Sequence, residues 1–128
     1  MLYNNNVELG RRFESAACEW LKKSGINVIE RNFTVKGGEI DIIAEDGDTL
    51  AFIEVKARQE SNVSRFGRPG AAVNQEKREN LIFTANEYQR KNKITNKRMR
   101  FDVLEIYYSE FEELICLEFK YYKSAFTK

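Results

Sequence analysis

Residues 38–58, GEIDIIAEDGDTLAFIEVKAR, constrain the fold of this chain more than any other stretch. Two apolar, β-branched segments flank Asp46-Gly47-Asp48-Thr49, a hairpin signal, and predict antiparallel strands over Glu39–Glu45 and Leu50–Arg58. A four-residue loop, 46 to 49, pairs Glu45 with Leu50. Side chains alternate faces, so Glu39, Asp41 and Ile43 share one face of the first strand, and Phe52, Glu54 and Lys56 share one face of the second. The same register sets Ile43 opposite Phe52, Asp41 opposite Glu54 and Glu39 opposite Lys56. Directly opposed residues have β-carbons about 4.5 to 5.5 Å apart, so the Asp41 and Glu54 carboxylates converge. Opposed like charges destabilise a sheet and ask for a cation. Mg²⁺ meets that need, since it takes one or two carboxylates, keeps waters and completes its shell with phosphate oxygens. Lys56 then stands beside it, where an ammonium can orient or help deprotonate a water, or neutralise charge growing on phosphorus. The plainer alternative is a surface network of Glu-Lys and Asp-Lys pairs on an ordinary sheet.

The rest of the chain supplies the layers around that hairpin. Phe13, Ala16, Ala17, Trp20 and Leu21 recur at helical spacing between Val7 and Lys23, before a Ser24-Gly25 stop. Ile26–Phe33 reads as a strand ended by the Lys36-Gly37-Gly38 turn. A loop, Gln59–Gly70, precedes a second helix over Asn74–Lys91 with Leu81, Ala85 and Tyr88 on one stripe. Met99–Tyr108 and Leu114–Tyr122 close the chain as strands rich in β-branched and aromatic residues. The order α-β-β-β-α-β-β indicates an α/β layer structure with one mixed sheet covered by helices. With 128 residues, the chain is expected to form a single domain over 1–128.

Composition narrows the chemistry. The sequence has no histidine, which excludes a Ser-His-Asp triad, a Cys-His pair, a histidine zinc site and a histidine base. Cys18 and Cys116 lie in apolar stretches and read as two buried thiols in a reducing compartment. No apolar run reaches the roughly 18 residues of a membrane helix, and Met1–Gly10 lacks a signal-peptide layout, so the expected location is cytoplasmic, without a membrane partner. Charge is unevenly spread, with net −4 over residues 1–55, +8 over 56–100 and −3 over 101–128. Arg58, Arg65, Arg68, Lys77 and Arg78 make the middle segment a candidate phosphate-binding patch that holds backbone before it reads sequence. Gln75 and Lys77 open the second helix, where its positive dipole end favours phosphate; a plain solvated first turn is the alternative. Tyr107, Tyr108, Phe111, Phe119, Tyr121 and Tyr122 read as sheet core, a homodimer contact or a stacking surface for bases.

Asp41, twelve intervening residues, then Glu54-Val55-Lys56 matches the PD-(D/E)XK nuclease signature, with Ile40 in place of the named proline. To this are added Gly10-Arg11-Arg12-Phe13-Glu14 with Ala17 and Leu21, Arg31-Asn32-Phe33, Gly38-Glu39-Ile40-Asp41, Phe52-Ile53-Glu54-Val55-Lys56-Ala57-Arg58, Phe66-Gly67-Arg68-Pro69, Lys77 and Arg100-Phe101-Asp102-Val103. Together they resemble the YraN-like uncharacterised protein family over about residues 7 to 108. The resemblance implies a restriction-endonuclease-like three-layer fold, related to archaeal Holliday junction resolvases. It implies a divalent-metal-dependent endonuclease acting on nucleic-acid phosphodiesters, DNA before RNA and branched DNA among its substrates, with Mg²⁺ or Mn²⁺ as cofactor. By the same resemblance Asp41 and Glu54 are metal ligands, the Val55 carbonyl is a third, Lys56 is the catalytic lysine, and Glu14 is an acid brought to the metal by the first helix. Glu39 is an accessory residue or a partner of Lys56. The alternative is a non-catalytic nucleic-acid-binding or adaptor module of the same fold.

Overall fold

A computed structural model describes residues 6–59, 73–110 and 114–127. Helix α1 (Asn6–Lys23) leads into strands β1 (Asn27–Val35), β2 (Gly38–Asp46) and β3 (Thr49–Gln59), followed by helix α2 (Gln75–Lys91) and strands β4 (Arg98–Glu110) and β5 (Leu114–Phe126). The element order is the one expected from the sequence. The five strands form one sheet in the order β1-β2-β3-β4-β5, antiparallel except for the parallel β3–β4 pair. That single parallel step is forced by α2, whose crossover carries the chain back to the start of the sheet. No helix among the described residues is long and apolar enough to cross a membrane.

Alternation along β3 assigns the two faces. Leu50 and Phe52 join Leu81, Ala85 and Tyr88 of α2 in one buried cluster, and Ala51 and Ile53 join Phe13, Ala17 and Leu21 of α1 in the other. The helices therefore cover opposite faces, and the structure has three layers. Helix α1 begins with Glu8 and ends with Lys22 and Lys23, which complements its dipole. It stops at Gly25 (φ +86), where the Ile26 N–H reaches the Leu21 carbonyl at 2.9 Å and the Gly25 N–H reaches that of Lys22 at 3.1 Å, a Schellman closure. Asn74 lies just outside α2 as its N-cap, and its side chain accepts the Lys77 N–H at 2.8 Å.

The hairpin closes one step tighter than its loop signal suggests. Asp46 pairs with Thr49, leaving a two-residue connection at Gly47 (φ +61) and Asp48, and the expected pairs Glu45–Leu50 and Ile43–Phe52 form. Toward its other end the ladder stops at Ile42–Ile53. The period-two pattern breaks at the same place, because Ile40 and Ile43 both enter the α2-side core while Ile42 enters the α1-side core. The expected ladder pairs Asp41–Glu54 and Glu39–Lys56 are thus replaced by a gap between diverging strands. Most of the terminal aromatic rings are engaged in packing. Tyr108 lies 4.7 Å from Phe13 between ring centroids, and Phe119 and Tyr121 lie 5.6 and 5.9 Å from Trp20. Tyr107 is buried. Phe111 and the Cys116 side chain lie outside the described residues; Cys18 is a half-buried free thiol whose pKa is raised by burial.

Candidate functional site

The gap between β2 and β3 is filled by a carboxylate. Asp41 Oδ2 accepts the Val55 N–H at 2.8 Å and so replaces the main-chain partner that β2 withdraws. In an antiparallel pair one residue directs its N–H and C=O to the same neighbour, so the Val55 carbonyl opens toward the same gap. Burial, then the hydrogen bonding and negative charge of the neighbouring Glu54, push the Asp41 pKa up to about 8, so Asp41 holds its proton at neutral pH.

Two further acids complete the cluster. Glu14 on α1 and Glu39 on β2 each bring a carboxylate oxygen to Asp41, all within 4.8 Å of one another. Glu14 sits one residue from the buried Phe13, which turns its side chain against the sheet with 15% exposure. Its Oε1 is buried without a hydrogen-bond donor among the described residues, and the Arg31 guanidinium stands 3.9 Å away. An acceptor left bare in this way has room for a partner from outside the chain, a water or a cation. The donors are carboxylates with a main-chain carbonyl beside them, a hard-oxygen set that fits Mg²⁺ or Mn²⁺ and not the nitrogen and sulfur chemistry of zinc.

The basic residues divide into groups. Lys77 reaches across from the first turn of α2 to Glu54, Nζ to Oε2 3.1 Å, where Glu54 is only 5% exposed. Burial works against the charged form of Lys77, but attraction to Glu54, Asp41 and Glu39 outweighs it and raises its pKa. Lys56 is half-buried two positions beyond Glu54 and forms no ion pair among the described residues. Arg58 is bound to Glu105, Nε to Oε2 2.7 Å. Arg78 donates to the Val73 carbonyl at 3.0 Å and lies over the Phe126 ring, while Gln75 donates to Glu79 at 3.0 Å. Arg65 and Arg68 lie outside the described residues.

Glu105 is a buried acid that sequence reasoning passed over. Its signal was present: it interrupts the apolar stripe Phe101, Val103, Tyr107 on the α2-facing side of β4, where a charge has to be paired.

Fold and site together define an α/β protein whose mixed five-stranded sheet carries an oxygen-rich acidic site where two central strands part. The chain belongs to the uncharacterised protein family UPF0102, whose family model matches residues 13–106. It is 39% identical over 122 residues to a UPF0102 protein of Caldicellulosiruptor saccharolyticus, covering 95% of this chain and 99% of the relative. It is likewise 42% identical over 106 residues to one of Clostridioides difficile, covering 83% and 90%, and 40% identical over 99 residues to one of Hahella chejuensis, covering 77% of each chain.

Proposed function

We propose that this protein is a divalent-metal-dependent endonuclease that hydrolyses DNA phosphodiesters. The observation that carries the reading is the convergence of Glu14, Glu39 and Asp41 at the strand gap, with Glu54 beside Asp41 and Lys56 two positions further along β3. A structural network has no use for acids packed closely enough to hold one of them protonated. A site for a cation and a phosphate does.

Asp41 and Glu54 hold Mg²⁺ or Mn²⁺, with Glu14 and the Val55 carbonyl as further donors. When bound, such an ion supplies Lewis acidity toward a phosphoryl oxygen and a lowered pKa for water. Lys56 orients the attacking water and offsets the negative charge that grows on the phosphoryl oxygens, as a fixed charge aimed at the transition state. Lys77, directed at Glu54, would turn its ammonium to a substrate phosphate if that carboxylate were taken up by a cation. The first turn of α2 adds the positive end of its dipole on the same side.

Incubating the protein with labelled linear, nicked, flap and four-way DNA in Mg²⁺ or Mn²⁺ tests the reading, with calorimetric titration of Mn²⁺ alongside. Cleavage of at least one substrate by the parent, and loss of both Mn²⁺ binding and cleavage in Asp41→Ala, is the expected result. Equal Mn²⁺ affinity in parent and variant would remove Asp41 from the site. DNA binding without turnover would favour the adaptor function.

A further inference from the structure

The face of β3 that presents Glu54 and Lys56 continues to Arg58, where it meets a second carboxylate. The parallel register sets Lys56 beside Glu105 of β4, and Glu105 is 0% exposed. Both of its oxygens are held. Arg58 Nε donates to Oε2 at 2.7 Å, and the Tyr107 hydroxyl donates to Oε1 at 2.9 Å. Burying a charged pair carries a desolvation penalty of several kcal/mol per ion, about what good geometry returns, so an apolar pair would serve stability equally well. What the acid adds is direction.

Arginine has five N–H donors in a planar fork, and the bond to Glu105 uses only Nε. The terminal nitrogens form no hydrogen bond among the described residues, and the side chain keeps 21% exposure. Their free edge is the one that grips phosphate through two parallel bonds. Arg58 lies four residues beyond Glu54, roughly 13 Å between backbone positions, and Glu105, which holds its Nε, stands beside Lys56, so the guanidinium sits past the acidic gap on the side away from the hairpin turn.

We infer that Glu105 and Tyr107 are positioning residues that aim Arg58 as a preformed fork for a second, non-scissile backbone phosphate. The identity of the ligand rests on the nuclease reading; the fork does not. Because such a phosphate is bound alike before and during reaction, Arg58 sets substrate affinity and leaves the chemical step alone.

The test uses the full chain, a labelled duplex and a labelled four-way junction, with Ca²⁺ as an oxygen-seeking cation for binding and Mg²⁺ for single-turnover cleavage. Arg58→Met should weaken binding about tenfold and lower the salt slope by about one. Arg58→Lys keeps the charge without the fork and should recover little of the loss. Glu105→Gln removes an acid, so a purely electrostatic role predicts tighter DNA binding; the positioning role predicts binding several-fold weaker. Its half-saturating DNA concentration should rise at an unchanged maximal rate, with Mn²⁺ affinity equal to the parent's. Should either single variant fold poorly, Arg58→Met/Glu105→Gln removes the charge imbalance and should bind as weakly as loss of the fork requires. Tighter binding by Glu105→Gln, or parent-like binding by the double variant, would overturn the inference and leave the nuclease reading standing. A parent that binds neither DNA but still takes up Mn²⁺ would overturn both.

Discussion

At the scale of single residues the chemistry turns on how Asp41 is protonated. Its pKa in the folded chain, about 8, lies above the ordinary 3.8. Between those values the folded state binds more protons than the unfolded one, so the contribution to stability is complete below about pH 4 and is lost as pH rises through about 8. The metal-free protein should therefore show a falling thermal midpoint over that interval, and Asp41→Asn should flatten it. A cation must displace that proton, so Mn²⁺ affinity should climb with pH from 6 toward 8, by at most about tenfold per unit. Calorimetric titrations at three pH values check this; an affinity indifferent to pH would mean that Asp41 does not bind the ion. Lys56 is tested by chemistry rather than titration. Lys56→Ala should retain Mn²⁺ and most DNA affinity while single-turnover cleavage drops at least about a hundredfold, roughly 2.7 kcal/mol in barrier. Lys56→Arg should not restore it, since a planar guanidinium cannot reproduce a compact ammonium. Parent-like cleavage by a folded Lys56→Ala would defeat the assignment.

At the scale of elements, what could be read from the sequence is what local chemistry decides. Turn residues and alternation set the hairpin, its register at Glu45–Leu50 and the acids that meet beyond it. The break at Asp41 was not legible, because it depends on a side chain substituting for a main-chain acceptor in a neighbouring strand, which no pattern within β2 records. The Lys77–Glu54 contact was hidden for a similar reason: it needs the angle at which α2 crosses the sheet. That angle is fixed by a close approach at Gly38, where an added β-carbon would stand 1.8 Å from Thr84 Oγ1 and 3.3 Å from the Asn80 carbonyl oxygen. Gly38→Ala should therefore push α2 off the sheet and destabilise the protein by about 1–3 kcal/mol. Removing the obstructing hydroxyl in Gly38→Ala/Thr84→Ala should return part of the loss, a coupling measurable by denaturant unfolding of the four proteins in the cycle. Strict additivity would show that the helix does not rest on this contact.

Across the whole molecule, the net +8 of residues 56–100 overstates the charge available to a ligand. Lys97 is paired with Glu45 at 2.8 Å, Arg90 with Glu87, and Arg100 with Asp102 and Asp46 at 2.8 and 3.0 Å. Arg100 belongs to a network around the buried Asp102, which also accepts from the Tyr121 hydroxyl and from the Ser124 N–H at 2.9 Å; Lys123 joins through Asp46. These contacts tie the β2–β3 turn to β4 and β5, so the network is a structural tie and not a binding surface. On the side of the strand gap the cations for a phosphodiester backbone are Lys56, Lys77 once released from Glu54, and the outer edge of Arg58, with Arg65 and Arg68, outside the described residues, as further expected contacts. The exposed Lys91, Lys93 and Arg98 stand at the end of α2 and the start of β4, away from that gap. About five contacted phosphates set a slope of log affinity against log salt near −4.5, whereas a fully available excess of eight charges would give about −7. Titrating a labelled duplex from low to physiological salt reads that slope directly, and the same assay on Asp102→Ala separates the two kinds of charge. Deleting Asp102 leaves Arg100 without its closest partner and should destabilise the fold by about 3–5 kcal/mol, yet the slope should stay that of the parent under conditions where the variant is folded. A slope that steepens in this variant would show that Arg100, once released, reaches the nucleic acid, and would place the interface at the turn end of the sheet instead of at the gap between β2 and β3.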